Sequence, residues 1–177
     1  MTAHEFIGEF ENWDNHRPLL WLALESTSGN VVELGVGKGS TEQLHKYCEA
    51  RQRRLYSYEN NARWFENFKK YRSHIHEVSL IQKWDVVDQS HGQVDVVFID
   101  HAPGERRHVD VERFKDKAKI IVCHDTEPSS DHGYQFSKVF PLFKYRVDFK
   151  SNAAWATAVS NHIDVSKWVK YEISGNL

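Results

Sequence analysis

The stretch VVELGVGKGST, residues 31–41, joins an apolar, β-branched run to a glycine-rich turn. The run stops at Leu34; Gly35, Gly37 and Gly39 then alternate, with Val36 and Lys38 between them, into Ser40 and Thr41, where a helix-like stretch begins. Such a run reads as a short buried strand. Glycines directly after it let the backbone turn tightly and approach a ligand with no Cβ in the way. Ser40 or Thr41 is expected to cap the helix, whose free N–H groups would favour an anion. The pattern is G-x-G-x-G, with Glu33 two residues ahead of Gly35. It differs from the dinucleotide fingerprint G-x-G-x-x-G and from the phosphate loop G-x-x-x-x-G-K-[ST], because Lys38 lies between glycines. Alone, such a loop also serves as a plain strand-to-helix turn.

Around this loop, short apolar runs alternate with longer polar stretches. Strands are expected at 30–34, 54–58, 74–78, 94–99 and 118–123, and helices at 17–24, 41–53, 62–71 and 109–117. Alternation of this kind predicts parallel βαβ units in a three-layer α/β domain. The last two β-rich runs, 144–149 and 155–160, are too close for a parallel crossover and predict an antiparallel hairpin at the sheet edge. The 177 residues suit one domain, with a helical cap at 1–29, a core at 30–161 and an extension at 162–177.

Composition narrows the function classes. Lys and Arg number 23 against 25 Asp and Glu, so the whole-domain basic footprint of a nucleic-acid binder is missing, and no nucleic-acid partner is expected. The cluster KYCEARQRR, residues 46–54, has no aromatic interleaving and reads as a solvated helix face. No apolar run approaches the roughly 20 residues of a membrane span, so no membrane partner is expected. The N-terminal sequence lacks the basic-then-apolar pattern of a signal peptide. Cys48 and Cys123 sit in unlike contexts, which argues against a disulfide and for a cytoplasmic location. A homo-oligomer is compatible with all of this.

Glu59 closes the second predicted strand, 20 residues past Gly39, in LYSYENN. An α/β domain that binds a nucleoside places an acid there to accept hydrogen bonds from ribose hydroxyls. With this residue the sequence resembles the class I S-adenosylmethionine-dependent methyltransferases, over about residues 31–161. The resemblance implies a Rossmann-like, doubly wound, mainly parallel sheet finished by an antiparallel hairpin, and S-adenosylmethionine as cofactor. It implies that Glu33, Gly35, Val36, Gly37, Gly39, Ser40 and Thr41 surround the methionine part, and that Glu59 and Asn60 meet the ribose. The loop at 79–85 would face adenine, with Trp84 as a stacking surface or as a core residue.

Two further strand ends carry chemistry. The fourth run continues as DHAPGERRH, from Asp100, and the fifth ends in His124-Asp125-Thr126. Neighbouring strands thus deliver Asp100, His101, His124 and Asp125 to one rim, where carboxylates repel unless a cation or proton intervenes. This pairing resembles the small metal-dependent O-methyltransferases of the macrocin O-methyltransferase and cephalosporin hydroxylase-like group. It implies Asp100 and Asp125 as ligands of Mg2+ or Mn2+, with His124 or Thr126 as third partner, and Asp100 beside the cofactor. The lysine base of the catechol O-methyltransferases is replaced here by Pro103. The expected general base is then His101, with Glu105, His108 and His124 as alternatives. Arg106 and Arg107 either clamp an acidic substrate or open a helix and pair with Glu105, Asp110 or Glu112. His74 and His76 alternate on a strand, and with His4, His16, His45, His91, His132 and His162 they read as surface or packing residues.

These observations together predict a methyltransferase acting on a small-molecule acceptor, at oxygen and with metal assistance. Two alternatives share the fold: a non-catalytic cofactor-binding subunit, and an NAD-dependent oxidoreductase, against which the glycine spacing and Glu33 count. No N-P-P-Y-type motif follows the fourth strand, which counts against a protein or nucleic-acid methyltransferase.

Overall fold

The computed structural model describes residues 1–8, 14–87, 91–152 and 154–168. Seven strands form one sheet in the order β3-β2-β1-β4-β5-β7-β6. They are β1 (Asn30–Leu34), β2 (Leu55–Glu59), β3 (His76–Leu80), β4 (Val94–Ile99), β5 (Ala118–His124), β6 (Tyr145–Lys150) and β7 (Trp155–Ser160). The first five are mutually parallel, and β7 runs antiparallel to both β5 and β6, the hairpin that the short spacing predicts. Helices α1 (Ala3–Ile7), α2 (Arg17–Glu25), α3 (Thr41–Arg51), α4 (Ala62–Phe68), α5 (Arg107–Phe114) and the single turn α6 (Asp131–Tyr134) complete the layers. Residues 169–177 of the expected extension lie outside the described residues.

The central strands are apolar on both faces, as a covered parallel sheet requires. Along β4, Val96 and Phe98 pack on the side of α2 and α3, while Val94, Val97 and Ile99 pack on the side of α5. Along β5, Ile120 and Val122 alternate with Ile121 and Cys123 in the same way. Cys48 and Cys123 are both buried and free, in separate layers. No helix among the described residues is long and apolar enough to cross a membrane.

Several element ends lie one to three residues from expectation, as α5 does at 107–114 against 109–117, and two departures have a clear local cause. The third strand starts at His76 rather than residue 74, because Ser73 Oγ accepts the N–H groups of Ile75 and His76 and makes a turn there. The basic stretch 46–54 is only partly a solvated face. Arg53 is buried, and its guanidinium donates to the carbonyls of Leu24, Thr27 and Gly29 and to Thr27 Oγ1, closing the end of α2 against the start of β1. Arg53→Met should lower stability by about 2–3 kcal/mol, since buried carbonyls lose their donors. Arg51→Met, which removes a solvent-exposed ion pair with Glu25, should cost well under about 1 kcal/mol. Urea denaturation of the two variants measures the contrast.

Candidate functional site

The carboxyl ends of β1, β2, β4 and β5 meet along one edge of the sheet, and the glycine loop lies across it. Gly35 has φ +93°, and a Cβ there would sit 2.7 Å from the Asp100 carbonyl and from His101 Cα. Only glycine permits β1 to end this close to the end of β4. Gly39 abuts Asp14 and His16, whereas Gly37 faces open space with Ser40 Oγ 3.8 Å from the Cβ position.

Beneath the loop, Glu33 is fully buried. Ser40 Oγ and Thr41 Oγ1 donate to its Oε1 at 2.6 and 2.9 Å, and Ser57 Oγ donates to its Oε2 at 2.5 Å. Thr41 Oγ1 also accepts the N–H of Gly37 at 2.8 Å. Ser40 therefore does not cap α3 through its side chain, as expected from sequence, but ties the loop to β1. Burial pushes the Glu33 carboxyl up to about 7, against the three hydroxyl bonds that favour its ionised form. Glu33, Ser40 and Thr41 are buried beneath the loop and hold it in place.

A cavity of about 750 Å3 opens beside the loop, lined by Val36, Glu59, Asn60, Trp64, Asp100 and Ala102 among others. Glu59 Oε1 accepts the N–H groups of Asn60 and Asn61 at 2.9 and 2.7 Å, and Oε2 accepts the N–H of Val36 at 3.2 Å. A carboxylate offers about four acceptor positions, so one remains on Oε2 for a donor in the cavity. Burial raises the Glu59 carboxyl despite those three backbone bonds. Trp64 Nε1 donates to the Val36 carbonyl, and Asn60 Nδ2 donates to the Ala102 carbonyl at 2.9 Å. Trp64, Arg63 and Asn67 on α4 were not anticipated, because the buried Phe65 and Phe68 mark the packed side of this short helix and nothing in its sequence marks the side that faces a strand end.

On the other side of Asp100 the charges are already paired. Arg107 Nη2 lies 2.9 Å from Asp100 Oδ1, and Arg107 Nη1 lies 3.1 Å from Asp125 Oδ2. His124 Nδ1 lies 3.3 Å from Asp100 Oδ1 and 3.4 Å from Asp125 Oδ1. Asp125 adopts φ 56°, an uncommon conformation for a non-glycine residue. Its carbonyl is held by Ser130 Oγ at 2.6 Å. Burial alone would raise the Asp100 carboxyl, but the His124 hydrogen bond and the charges of His124 and Arg107 bring it below its usual value. For His124, burial is outweighed by Asp100 and Asp125, and its pKa rises. Asp100, His124 and Asp125 can each offer one ligand atom within 4.8 Å of the others. The donor set nevertheless fits a divalent ion poorly, because a guanidinium already bridges the two carboxylates. Arg107 does open helix α5, as one of the two readings has it, and Arg106 pairs with Asp110, but the partners of the buried Arg107 are the rim aspartates rather than a substrate or a neighbour on its own helix.

Two expectations are corrected by packing. His101 is not a rim base: its imidazole is buried, stacked on Trp84 with centroids 4.1 Å apart, and its Nε2 lies 3.0 Å from Asp110 Oδ2. Burial lowers its pKa, and Asp110 opposes this only in part. Trp84 is the core residue of the two readings, with Nε1 donating to the Ala102 carbonyl at 2.9 Å. His16, read as a packing residue, lies under the rim with ring centroids 4.9 Å from His124, and both its nitrogens are buried without a hydrogen-bond partner among the described residues. Burial drives its pKa down to about 3.

The rim yields a stability prediction. Arg107→Met should cost about 2 kcal/mol, because two half-buried carboxylates lose their shared counter-charge. Mg2+ should raise the melting temperature of that variant but leave the parent protein unmoved. Glu33 yields a pH prediction. Its folded pKa is raised from 4.5 to about 7, so the folded chain keeps a proton that the unfolded chain releases. Stability therefore falls as pH rises through that window, by at most about 1.4 kcal/mol per pH unit. Glu33→Gln should remove this fall, seen as a pH-dependent difference in urea midpoint between the two proteins from pH 4.5 to 7.5.

No family model matches the chain, and no curated protein matches it. Solved structures do share its fold. Cofactor-bound Rv0187 from MTB superposes with a TM-score of 0.64 at 15% identity, covering 91% of this chain and 87% of that one. A candidate O-methyltransferase from Klebsiella pneumoniae gives 0.60 at 14% identity, covering 90% and 86%. The human METTL16 catalytic domain, in complex with the MAT2A 3'UTR hairpin 1, gives 0.62 at 12% identity, covering 85% and 70%. That complex overturns the exclusion of nucleic acid drawn from net charge, since a domain of this fold holds an RNA hairpin. The chain has the Rossmann-like fold of the S-adenosylmethionine-dependent methyltransferases.

Proposed function

We propose that this chain is an S-adenosylmethionine-dependent methyltransferase that acts on a hydroxyl of a small acceptor. The observation that carries the reading is Glu59, a buried acid at the end of β2 with one acceptor position left, on the wall of a cavity that also reaches Val36 and Asp100. Such an acid is suited to a ribose hydroxyl. When bound, S-adenosylmethionine would supply an electrophilic methyl group on a positively charged sulfur. The chain's own residues supply position and charge, which suffice to accelerate an in-line displacement. Glu59 and the Asn60 backbone orient the ribose end. The glycine loop, held from below by Glu33, sets the depth of the pocket.

Asp100 is the group shared by the cavity and the rim. Its carboxylate, kept ionised by His124 and Arg107, can hold the acceptor's hydroxyl hydrogen and turn the oxygen lone pair toward the methyl group. Arg107, between Asp100 and Asp125, provides a positive charge where the resemblance implied Mg2+ or Mn2+, and no step needs a metal.

Thermal-shift titrations with S-adenosylmethionine, S-adenosylhomocysteine and NAD+ test the reading; the first two should stabilise the protein and NAD+ should not. A response to NAD+ alone would overturn it. Glu59→Gln keeps the shape but loses a charged acceptor, and should weaken S-adenosylhomocysteine binding by about tenfold or more by calorimetry.

A further inference from the structure

A continuous hydrogen-bonded path leads from α3 to Glu33 beneath the glycine loop. His45 Nδ1 lies 3.2 Å from His76 Nδ1, His76 Nε2 lies 2.8 Å from Ser57 Oγ, and Ser57 Oγ lies 2.5 Å from Glu33 Oε2. His45 is half-buried at one end of the path; His76, Ser57 and Glu33 are buried. We propose that His45, His76, Ser57 and Glu33 form a proton-conducting chain that sets the charge beneath the glycine loop, with Glu33 a positioning residue that favours a positively charged nucleoside ligand when ionised.

Donor and acceptor capacity allows two complete arrangements of this path. With Glu33 ionised, Ser57 donates to it, His76 donates from Nε2 to Ser57, and His45 donates from Nδ1 to His76. With Glu33 protonated, every donor reverses: Glu33 donates to Ser57, Ser57 to His76 Nε2, and His76 from Nδ1 to His45. The change balances. One proton taken up at His45 Nε2 releases the His45 Nδ1 proton to His76, the His76 Nε2 proton to Ser57, and the Ser57 proton to Glu33. No bond between heavy atoms changes, and the net result is one protonated carboxyl. Burial, together with the charge of His45, lowers the pKa of His76 to about 3, so its imidazole stays neutral and relays by exchanging tautomers.

The groups that face Glu33 leave it as the one that switches. Cys48 on α3 has a thiol pushed up to about 12 by burial and stays neutral. Asp100, at the end of β4, stays ionised and raises Glu33 by repulsion. Arg17 on α2 touches the loop through the Gly39 carbonyl at 2.8 Å and is paired with Asp14. Around His45, the Tyr71 ring lies 5.4 Å away, and Tyr71 and Lys46 both bond to Glu42. An ionised Glu33 holds Ser40 and Thr41 by charge-assisted bonds and tightens the loop. It also places a negative charge near the pocket, which attracts a sulfonium and is indifferent to a neutral thioether.

What the chain does to a ligand rests on the methyltransferase reading; the chain itself does not. Long-range 15N NMR of histidine-labelled protein reads the His76 tautomer from pH 5.5 to 8.5. The expected result is a proton on Nδ1 at low pH and on Nε2 at high pH, with a midpoint near 7, and a single pH-independent tautomer in Glu33→Gln. Calorimetry over the same range should show the affinity for S-adenosylmethionine relative to S-adenosylhomocysteine rising by about fivefold in the parent protein and staying flat in Glu33→Gln. A His76 tautomer that never changes overturns the proposal, whether or not the variant folds. A tautomer that switches while the affinity ratio stays flat overturns the link to the ligand. A switching tautomer in a protein that binds neither compound upholds the proton chain and refutes the methyltransferase reading.

Discussion

A carboxylate buried under a glycine loop is the constraint to which the rest of this site answers. Glu33 leaves water with no cation paired to it among the described residues, so hydroxyls must replace its hydration. Three do so: Ser40 and Thr41 from the start of α3, and Ser57 from β2. Those bonds fasten the loop to two strands at once and fix where Gly35 passes the end of β4. The cavity wall, the position of Val36 and the free acceptor on Glu59 follow from that placement. A hydrophobic residue at 33 would pack on the sheet but leave the loop without an anchor.

The rim solves the same problem by another route. Asp100 and Asp125 approach closely enough to repel, and Arg107 with His124 lies between them. A planar guanidinium can bond two carboxylates from one fixed position, which a lysine cannot. The arrangement neutralises the strand ends while leaving Asp100 partly open to the cavity. Beneath it, His16 stays neutral because its surroundings cannot support a charge. The edge of the sheet thus carries a graded field, ionised at Asp100, titrating at Glu33 and neutral at His16 and His101.

How far the sequence could be read depended on the range of each signal. Residues 30–34, 94–99 and 155–160 match their strands because β-branched apolar runs report a covered sheet locally. Glu59 and Asp100 were legible for a related reason: a residue that directly follows a parallel strand must emerge at its carboxyl end, where ligands bind. His101 follows a strand too, yet its ring packs on Trp84 and Asp110, partners that come from other segments of the chain.

The order of apolar and polar residues along the chain is enough to specify an α/β sheet, its terminal hairpin, the glycine turn and the acids at the strand ends. Those features rest on local periodicity and on the direction of a strand. Which cation neutralises Asp100 and Asp125, which histidines lie beneath the loop, and whether Trp84 faces a ligand or the core depend on contacts between different elements of the fold. Arg107 meets Asp125, and Glu33 meets His76 through Ser57, only once the sheet has brought their strands together. Side-chain partners of that kind are chosen by packing and by the cost of burying charge, quantities that have no value until the fold is closed.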